Sequence, residues 1–203
     1  MRIVTVSGTS SEIGKTTLVC ELLRRLPGWA AVKVTRGHYR SCGKDPETCC
    51  VSHLLGDAPR VFGDRADTDQ AAKDTGRYWA AGAADVRWVV GKRGQEAAGL
   101  ARALEELADR PGVVVEGNRI VESCRPDLAL LVAHPSQSEV KSSARRILDR
   151  IHALYVVEEA SVGAREERMA AALVGAGPDY ERPVWGPADL DAIAKRARGS
   201  GQG

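Results

Sequence analysis

The sequence lacks any long apolar run. Its strand-like stretches hold only a few consecutive apolar residues, far fewer than the roughly 18 that a helix needs to cross a bilayer. The opening stretch MRIVTVSG is also shorter than the apolar core of a signal peptide and leads directly into a glycine-containing loop. We therefore expect no membrane partner and a cytoplasmic location.

An excess of charge of one sign is also missing. The 29 lysines and arginines nearly balance the 27 aspartates and glutamates, giving a formal net charge of +2, and the two signs are interleaved along most of the chain. A groove that binds nucleic acid needs clustered positive charge. The composition therefore predicts no nucleic-acid partner. A small-molecule partner, a protein partner and a homodimer all stay open.

Short β-branched runs alternate with helical patterns along the chain, which is typical of a parallel sheet with crossover helices. The predicted strands are residues 2–6, 30–35, 86–90, 113–116, 128–133 and 154–157. The predicted helices are residues 15–26, 69–82, 95–108, 138–150, 164–174 and 188–198. We expect an α/β fold, with one domain over residues 1–198 and a flexible tail at residues 199–203.

Residues 36–68 interrupt this alternation. They form a segment rich in glycine, proline, charge and cysteine between the second predicted strand and the second predicted helix. Loops of this length are usually functional lids or are disordered. We predict an inserted, cysteine-bearing loop at the carboxyl edge of the sheet, where open α/β sheets bind their ligands.

The segment GTSSEIGKTT follows the first predicted strand and opens the first predicted helix, which is the context that a P-loop requires. Backbone N–H groups in such a loop, with the positive end of the next helix, bind phosphates. Lys15 would neutralise the β- and γ-phosphates, and the Thr16 hydroxyl would be a Mg²⁺ ligand. The predicted nucleotide-binding residues are Gly8, Thr9, Ser10, Ser11, Glu12, Ile13, Gly14, Lys15, Thr16 and Thr17.

The base of the nucleotide is not indicated by the sequence. The chain has a single asparagine, Asn118, and Arg119 follows it, so a guanine-reading Asn-Lys-x-Asp motif is absent. We therefore predict ATP or GTP as the ligand, together with Mg²⁺, and leave the choice between them open.

Five residues separate Gly8 from Gly14, one more than in the common P-loop pattern. This spacing resembles the loop of the dethiobiotin synthetases, Gly-Thr-x-x-x-Val-Gly-Lys-Thr, with Ile13 at the position of the valine. The run VVVEGN, which contains Glu116, is similar to the Val-Glu-Gly strand of the same family. The resemblance implies an enzyme that uses Mg–ATP to phosphorylate or ligate a small acidic or amine-bearing substrate.

A second resemblance lies further along the chain. The stretch DQAAKDT at residues 69–75, with AGA at residues 81–83, is similar to the D-x-x-x-K-D-S…A-G-A pattern of the molybdopterin-guanine dinucleotide biosynthesis protein B family (MobB). Lys33 with His38 resembles that family's Lys-His strand end, although Val34 follows Lys33 directly. The resemblance implies a MobB-like P-loop accessory protein of molybdenum-cofactor-type biosynthesis, with slow hydrolysis of ATP or GTP.

Three side chains join Lys15 and Thr16 as candidates for catalysis or metal binding. Glu116 ends a continuously apolar strand, so it should lie beside the phosphate loop and bind Mg²⁺ directly or through water. Asp69 is a second metal-site carboxylate, the orienter of an attacking group, or only a helix N-cap. Lys33 reaches the γ-phosphate or an anionic substrate, or it is a solvated strand end. Asp74 is interpreted more simply, as the partner in an ion pair on its own helix.

The predicted loop carries Cys42, Cys49, Cys50 and His53. Thiolate and imidazole groups bind zinc or iron–sulfur clusters, but their spacing here includes no C-x-x-C pair. An odd total of five cysteines without an export signal favours reduced thiols. A metal site, a redox pair and free thiols stay open, and a metal site would make the chain a nucleotide-gated metallochaperone. This is a third alternative, after the accessory protein and the kinase or ligase.

Overall fold

The structure is a computed structural model that describes residues 1–39, 50–118, 120–134, 142–157 and 182–199. The strands in this part of the chain are β1 Arg2–Gly8, β2 Ala30–Arg36, β3 Arg60–Phe62, β4 Val86–Gly91, β5 Gly112–Glu116, β6 Leu128–Ala133, β7 Ala153–Val156 and β8 Val184–Trp185. These eight strands form one sheet, in the order β3-β4-β2-β5-β1-β6-β7-β8. Every neighbouring pair is parallel except β3 with β4.

Helices of very different lengths cover the sheet. They are α1 Lys15–Arg25, α2 Arg65–Thr68, α3 Asp74–Ala80, α4 Glu96–Glu106, α5 Ser142–Arg145 and α6 Leu190–Ala197, with 3₁₀ turns at Ser52–Leu54, Ile120–Glu122 and Pro187–Asp189. Among the described residues, no helix has the length and apolar character needed to span a bilayer.

The two faces of the central strands belong to two separate hydrophobic clusters. On β5, Val114 packs in one cluster with Leu18 and Leu22 of α1, while Val113 and Val115 pack on the other side with residues of α4. Successive side chains of a strand point to opposite faces, so a strand that is covered on both faces is apolar throughout. The continuous valine run of β5 therefore carries Glu116 into a buried position at the strand's end.

The predicted helix over residues 69–82 is wrong in its first part. The structure has the short helix α2, then a turn, and α3 begins only at Asp74. The backbone turns back on itself so tightly here that a Cβ at Gly76 would lie 2.1 Å from the carbonyl oxygen of Gln70. Because only glycine tolerates such an approach, Gly76 allows the reversal that separates the two helices.

The predicted loop over residues 36–68 is not irregular throughout. Strand β3 lies inside it and pairs antiparallel with β4, with Arg60 opposite Val90 and Phe62 opposite Trp88. The rings of Phe62 and Trp88 stack with centroids 5.1 Å apart. Cross-strand aromatic contacts of this kind stabilise an edge strand.

Other differences concern the C-terminal half of the chain. The predicted helix over residues 138–150 is confirmed only for Ser142–Arg145, with turns after it, and its first residues lie outside the described part. The predicted helix over residues 164–174 lies wholly outside it. Strand β8 was not expected, because a strand of two residues has no period to detect.

Candidate functional site

The predicted phosphate loop connects β1 to α1. Gly14 is the N-cap residue of α1, with a positive φ of 95°, and Glu12 also has a positive φ, of 59°. The loop is anchored by a hydrogen bond from the backbone N–H of Thr9 to the carbonyl of Val132 on β6, 2.9 Å long. Lys15 extends back over the loop, where its Nζ donates to the carbonyl of Ser10 at 2.9 Å. The positive end of α1 therefore faces the concave side of a loop that carries a lysine.

Both glycines of the loop are required by close contacts. A Cβ at Gly8 would lie 2.6 Å from Cγ2 of Ile13 and 2.9 Å from Cδ of Lys15. A Cβ at Gly14 would lie 2.9 Å from Cγ1 of Val157, and the positive φ adds backbone strain for any other residue. The absence of a side chain at Gly8 thus leaves room for Lys15 to extend over the loop, and Gly14 allows the loop to pack against Val157.

Glu116 lies beside this loop because β5 pairs with β1, with Val6 opposite Glu116. The side chain is only 1% exposed. Its Oε2 accepts hydrogen bonds from the hydroxyl of Thr16, at 2.9 Å, and from the hydroxyl of Tyr78, and its Oε1 accepts one from Nζ of Lys33. The carboxylate is held in one orientation by three donors from three different elements.

Asp74 supplies the second carboxylate of the site. It is the first residue of α3, and its Oδ1 accepts a hydrogen bond from the Thr16 hydroxyl at 3.1 Å. Its Oδ2 lies 2.6 Å from Nζ of Lys33. Burial alone would raise the pKa of Asp74, but the charge and hydrogen bond of Lys33, with the hydrogen bond of Thr16, hold it below its usual value.

Lys33 lies between the two carboxylates. It stands on β2 opposite Glu116 of β5, and its side chain is 19% exposed. Burial acts to lower the pKa of Lys33, but the negative charges of Glu116 and Asp74 outweigh this effect and raise it. The ammonium is therefore charged at neutral pH and forms a cluster with two carboxylates and one hydroxyl.

The structure does not bring Asp69 into this cluster. Asp69 follows α2 as its C-cap, and its Oδ2 lies 3.0 Å from Nε of Arg65 in an exposed ion pair. Asp74, five residues later, is the carboxylate that contacts Thr16 and Lys33. The interpretation of Asp74 as an ion-pair partner within its own helix is wrong, because these two partners come from α1 and β2.

Tyr78 is a residue of the site that sequence reasoning did not identify. The side chain is completely buried, and burial, followed by the charge of Glu116, raises its pKa well above the usual value. The hydroxyl therefore stays protonated as a donor to Glu116. One signal in the sequence was its spacing of four residues from Asp74, which places both side chains on the same face of a helix.

A cleft of about 1000 Å³ opens over these residues. Its lining includes the loop residues 11–17, the three residues Lys33, Asp74 and Glu116, and further residues in the last part of β2 and beyond the ends of β2 and β4. These further residues are Val34, Thr35, Arg36, His38, Cys50, Val51, Arg93, Gly94, Glu96 and Ala97. Within this part of the lining, the carboxylate of Glu96 accepts hydrogen bonds from Nε of Arg36 and from the backbone N–H of Gly94.

The candidate thiol site is described only in part. Cys42 and Cys49 lie outside the described residues, whereas Cys50 lines the cleft and His53 is exposed on a 3₁₀ turn. Within the described ranges, no group of three or more histidine, cysteine or acidic side chains could hold a metal ion. Cys124 is partly buried, and burial raises its pKa to about 11. The zinc, iron–sulfur, redox and metallochaperone alternatives therefore stay predictions.

The oxygen atoms around Thr16 fit a magnesium ion. Mg²⁺ prefers one or two carboxylates and a hydroxyl, completed by water and by the phosphates of a nucleotide. The hydroxyl of Thr16 contacts both Asp74 and Glu116, so these three oxygen donors converge next to the phosphate loop. These are the side chains that would hold the ion.

The hydrogen bond from Tyr78 to Glu116 gives a first prediction. Tyr78→Phe should lower the free energy of unfolding by about 1.5–3 kcal/mol, the usual range for a hydrogen bond to a charged group. Urea denaturation measures this change. Tyr39→Phe is the matched control, because Tyr39 is 60% exposed and should lose almost nothing. Equal effects of the two substitutions would contradict a structural role for the buried hydroxyl.

Comparison with known proteins identifies the fold. No family model and no curated protein sequence matches the chain. HypB from Helicobacter pylori, solved in complex with nickel, is similar in structure with a TM-score of 0.58 and 13% sequence identity, over 100% of this chain and 90% of HypB. LpxK from Aquifex aeolicus, solved with ATP, has a TM-score of 0.47 at 16% identity over 92% of this chain and 53% of LpxK.

A chain of the MinC:MinD cell division complex of Aquifex aeolicus has a TM-score of 0.48 at 14% identity, over 97% of this chain and 86% of that one. The likeness to HypB, at this low identity, bears on the fold alone. Together with the parallel sheet and the loop between β1 and α1, it confirms the predicted fold class: the chain has the α/β fold of the P-loop NTPases.

Proposed function

We propose that the chain binds ATP or GTP with Mg²⁺ in the cleft and transfers the γ-phosphoryl group. The observation that carries this proposal is the Thr16 hydroxyl, which contacts both Glu116 and Asp74 directly behind the phosphate loop. A merely structural glycine turn would not need two buried or half-buried carboxylates at the start of its helix. Buried charges are costly unless they are paired, and such clusters are concentrated at functional sites.

The phosphate loop, the two carboxylates and Tyr78 each have a part in this reaction. The backbone N–H groups of residues 8–17 and the ammonium of Lys15 would hold the phosphates and stabilise the charge of their oxygens. Thr16, Asp74 and Glu116 would hold Mg²⁺, which supplies a Lewis acid to the phosphate oxygens when it is bound. Tyr78 orients Glu116. Phosphoryl transfer of this kind depends on positioning and charge neutralisation more than on covalent chemistry.

We infer further that water is the acceptor, as in a MobB-like accessory protein of molybdenum-cofactor-type biosynthesis. The placement of the MobB-like stretch supports this step. Its Lys73-Asp74-Thr75 run begins α3, and Asp74 of this run contacts Thr16 of the phosphate loop. The part of the sequence that resembles MobB is therefore also the part that completes the proposed metal site.

Nucleotide labelled at the γ-position tests the proposed function. The purified chain should bind the nucleotide and release the label slowly as inorganic phosphate in the presence of Mg²⁺, and EDTA should abolish the release. Failure to bind either ATP or GTP would contradict the proposal. Rapid transfer of the label to a small molecule from a cell extract, with little free phosphate, would show that the acceptor is that molecule and not water.

A kinase or ligase is the second candidate, and the shape of the cleft favours it. The cleft continues from Lys33 past the ends of β2 and β4. In the sheet, β2 lies two strands away from β1, the strand that leads into the phosphate loop, and β4 lies three strands away from it. Adjacent strands are about 4.8 Å apart, so Arg93 follows a strand roughly 14 Å from β1. At about 1000 Å³ the cleft is at the upper end of the usual range for ligand sites, with room for an acceptor beside the nucleotide.

Arg93 gives a prediction that separates the two candidates. It lines the far end of the cleft, it is exposed, and it has no ion pair in the described part of the chain. If an anionic acceptor binds there, Arg93→Ala should reduce label transfer to extract molecules by roughly tenfold or more, because a charged hydrogen bond is lost. Hydrolysis in the absence of extract should stay unchanged.

The control for this experiment is Arg102→Ala. Arg102 is an exposed arginine of α4 whose Nε donates to Glu106, and it does not line the cleft. Its loss should affect neither reaction. If Arg93→Ala and Arg102→Ala behave alike in transfer, the far end of the cleft has no part in recognising an acceptor.

A further inference from the structure

Lys33 has an unusual position for a lysine in a site that should accept a metal cation. Its Nζ contacts Oε1 of Glu116 and lies 2.6 Å from Oδ2 of Asp74. The other oxygen of each carboxylate lies within hydrogen-bond distance of the single hydroxyl of Thr16. The ammonium therefore joins the same two carboxylates that, with Thr16, would hold Mg²⁺.

Two carboxylates this close to one hydroxyl need a cation between them. Like charges in a half-buried site repel each other when no opposite charge is present. Lys33 supplies that charge in the structure, because its Nζ contacts both carboxylates. A divalent cation that contacted both carboxylates would be repelled by an ammonium at the same place.

The balance of charge differs when a nucleotide is present. Three cationic side chains, Lys15, Lys33 and Arg77, line the cleft around the two carboxylates Asp74 and Glu116, so this group of five side chains already carries a charge of +1. A divalent cation in addition would raise that charge to +3. The phosphates of a nucleotide bring several negative charges to the same loop, and they reverse this balance.

We propose that Lys33 occupies the cation position of the site until a nucleotide binds, and that the chain takes up a divalent metal ion only together with the nucleotide. Lys33 then leaves the carboxylates by rotation of its flexible four-carbon stem into the cleft that it lines. The proposal rests on the proposed function, since it concerns the same metal site. It adds a means by which the chain avoids binding a metal ion when no nucleotide is present.

Manganese binding without nucleotide tests this proposal. Mn²⁺ substitutes for Mg²⁺ at oxygen sites, and the free ion is measured by electron paramagnetic resonance. The wild-type chain should bind Mn²⁺ weakly without nucleotide and tightly with it. Lys33→Met should bind Mn²⁺ without nucleotide roughly 10- to 100-fold more tightly than the wild type, because a positive charge next to the carboxylates is gone.

Two further variants serve as controls. Lys33→Arg keeps the positive charge and should bind Mn²⁺ as weakly as the wild type. Lys92→Met removes a lysine whose Nζ lies 3.7 Å from Asp57 and which does not line the cleft, so it should also behave like the wild type. Lys33→Gln repeats the test with a polar side chain in case the methionine variant does not fold. Circular dichroism establishes folding for each.

Two outcomes would overturn the proposal. One is a folded Lys33→Met or Lys33→Gln variant whose affinity for Mn²⁺ without nucleotide equals that of the wild type. The other is a wild-type chain that binds Mn²⁺ without nucleotide as tightly as with it. A separate titration of the wild type with a fluorescent nucleotide in EDTA shows whether nucleotide binds at all, so a failure of the proposed function would be recognised independently.

Discussion

Lys15→Ala is expected to abolish measurable nucleotide binding while leaving the fold intact. The side chain of Lys15 extends over the phosphate loop and contacts the carbonyl of Ser10, and it belongs to none of the hydrophobic clusters. Its removal takes a positive charge away from bound phosphates. Loss of one partner from a desolvated charge pair usually costs about 2–5 kcal/mol, or roughly 30- to 5000-fold in affinity.

Titration with a fluorescent ATP or GTP analogue measures the affinity, and thermal unfolding followed by circular dichroism measures the fold. Lys92→Ala is the matched control, because it removes a partly exposed lysine outside the cleft and should bind nucleotide normally. A Lys15→Ala variant that binds nucleotide as tightly as the wild type would refute the assignment of residues 8–17 as a phosphate loop.

The sequence was sufficient to predict the centre of the fold. Strands β1, β2, β4, β5 and β6 were all predicted to within two residues at each end. Buried parallel strands are apolar throughout, and glycine and proline usually bound them, so this pattern is strong in a single sequence. The end of such a strand lies at a known edge of the sheet. For this reason the sequence alone predicts that Glu116 lies next to the phosphate loop.

Contacts between distant segments were not predictable in the same way. The choice between Asp69 and Asp74 depends on where α3 begins, and that depends on how closely the backbone of Gln70 approaches Gly76. A helical pattern over residues 69–82 contains no sign of this reversal. Strand β3 has only three residues, and its position is set by pairing with β4. Tertiary contacts determine both the start of α3 and the position of β3, and the local propensities of the sequence do not reveal such contacts.

The role of Lys33 shows a further limit. The sequence predicts Lys33 at the end of the second strand, as a group that reaches the γ-phosphate or an anionic substrate. In the structure Lys33 is the fourth of the seven residues of β2 and contacts two carboxylates of the chain itself. The structure adds that β2 pairs with β5 in a register that puts Lys33 opposite Glu116. One residue of shift would move the side chain of Lys33 to the other face of the sheet. The sequence does not contain that register explicitly, so it could not show that Lys33 contacts the two carboxylates.

Glu116→Gln is expected to reduce Mg²⁺-dependent turnover by roughly 100-fold or more, with a much smaller effect on nucleotide binding. Glutamine has nearly the same shape, but it lacks the negative charge and places an N–H donor where the carboxylate has an acceptor. Every partner of Glu116 in the described structure is a donor, namely Thr16, Tyr78 and Lys33. One of these donors would therefore face another donor in the variant.

The loss should appear mainly in catalysis because the carboxylate is expected to act through the metal ion. A group that stabilises negative charge on the phosphate oxygens has its largest effect in the transition state, where that charge develops. Removal of one such group commonly lowers kcat by about 100- to 1000-fold. Residues 8–17, which the substitution leaves unchanged, would supply most of the contacts to the phosphates. Nucleotide affinity in EDTA should therefore stay within a few-fold of the wild type.

The experiment measures kcat over a range of Mg²⁺ concentrations and the Kd of the nucleotide in EDTA. Glu106→Gln is the matched control, since Glu106 lies on α4 away from the cleft, where it pairs with Arg87 and Arg102. It should change neither quantity. If Glu116→Gln instead lowers turnover and EDTA-measured affinity by the same factor, Glu116 holds the phosphate loop in shape and does not serve the metal ion. A rise in the Mg²⁺ concentration needed for half-maximal turnover, at unchanged nucleotide affinity, identifies Glu116 as part of the metal site.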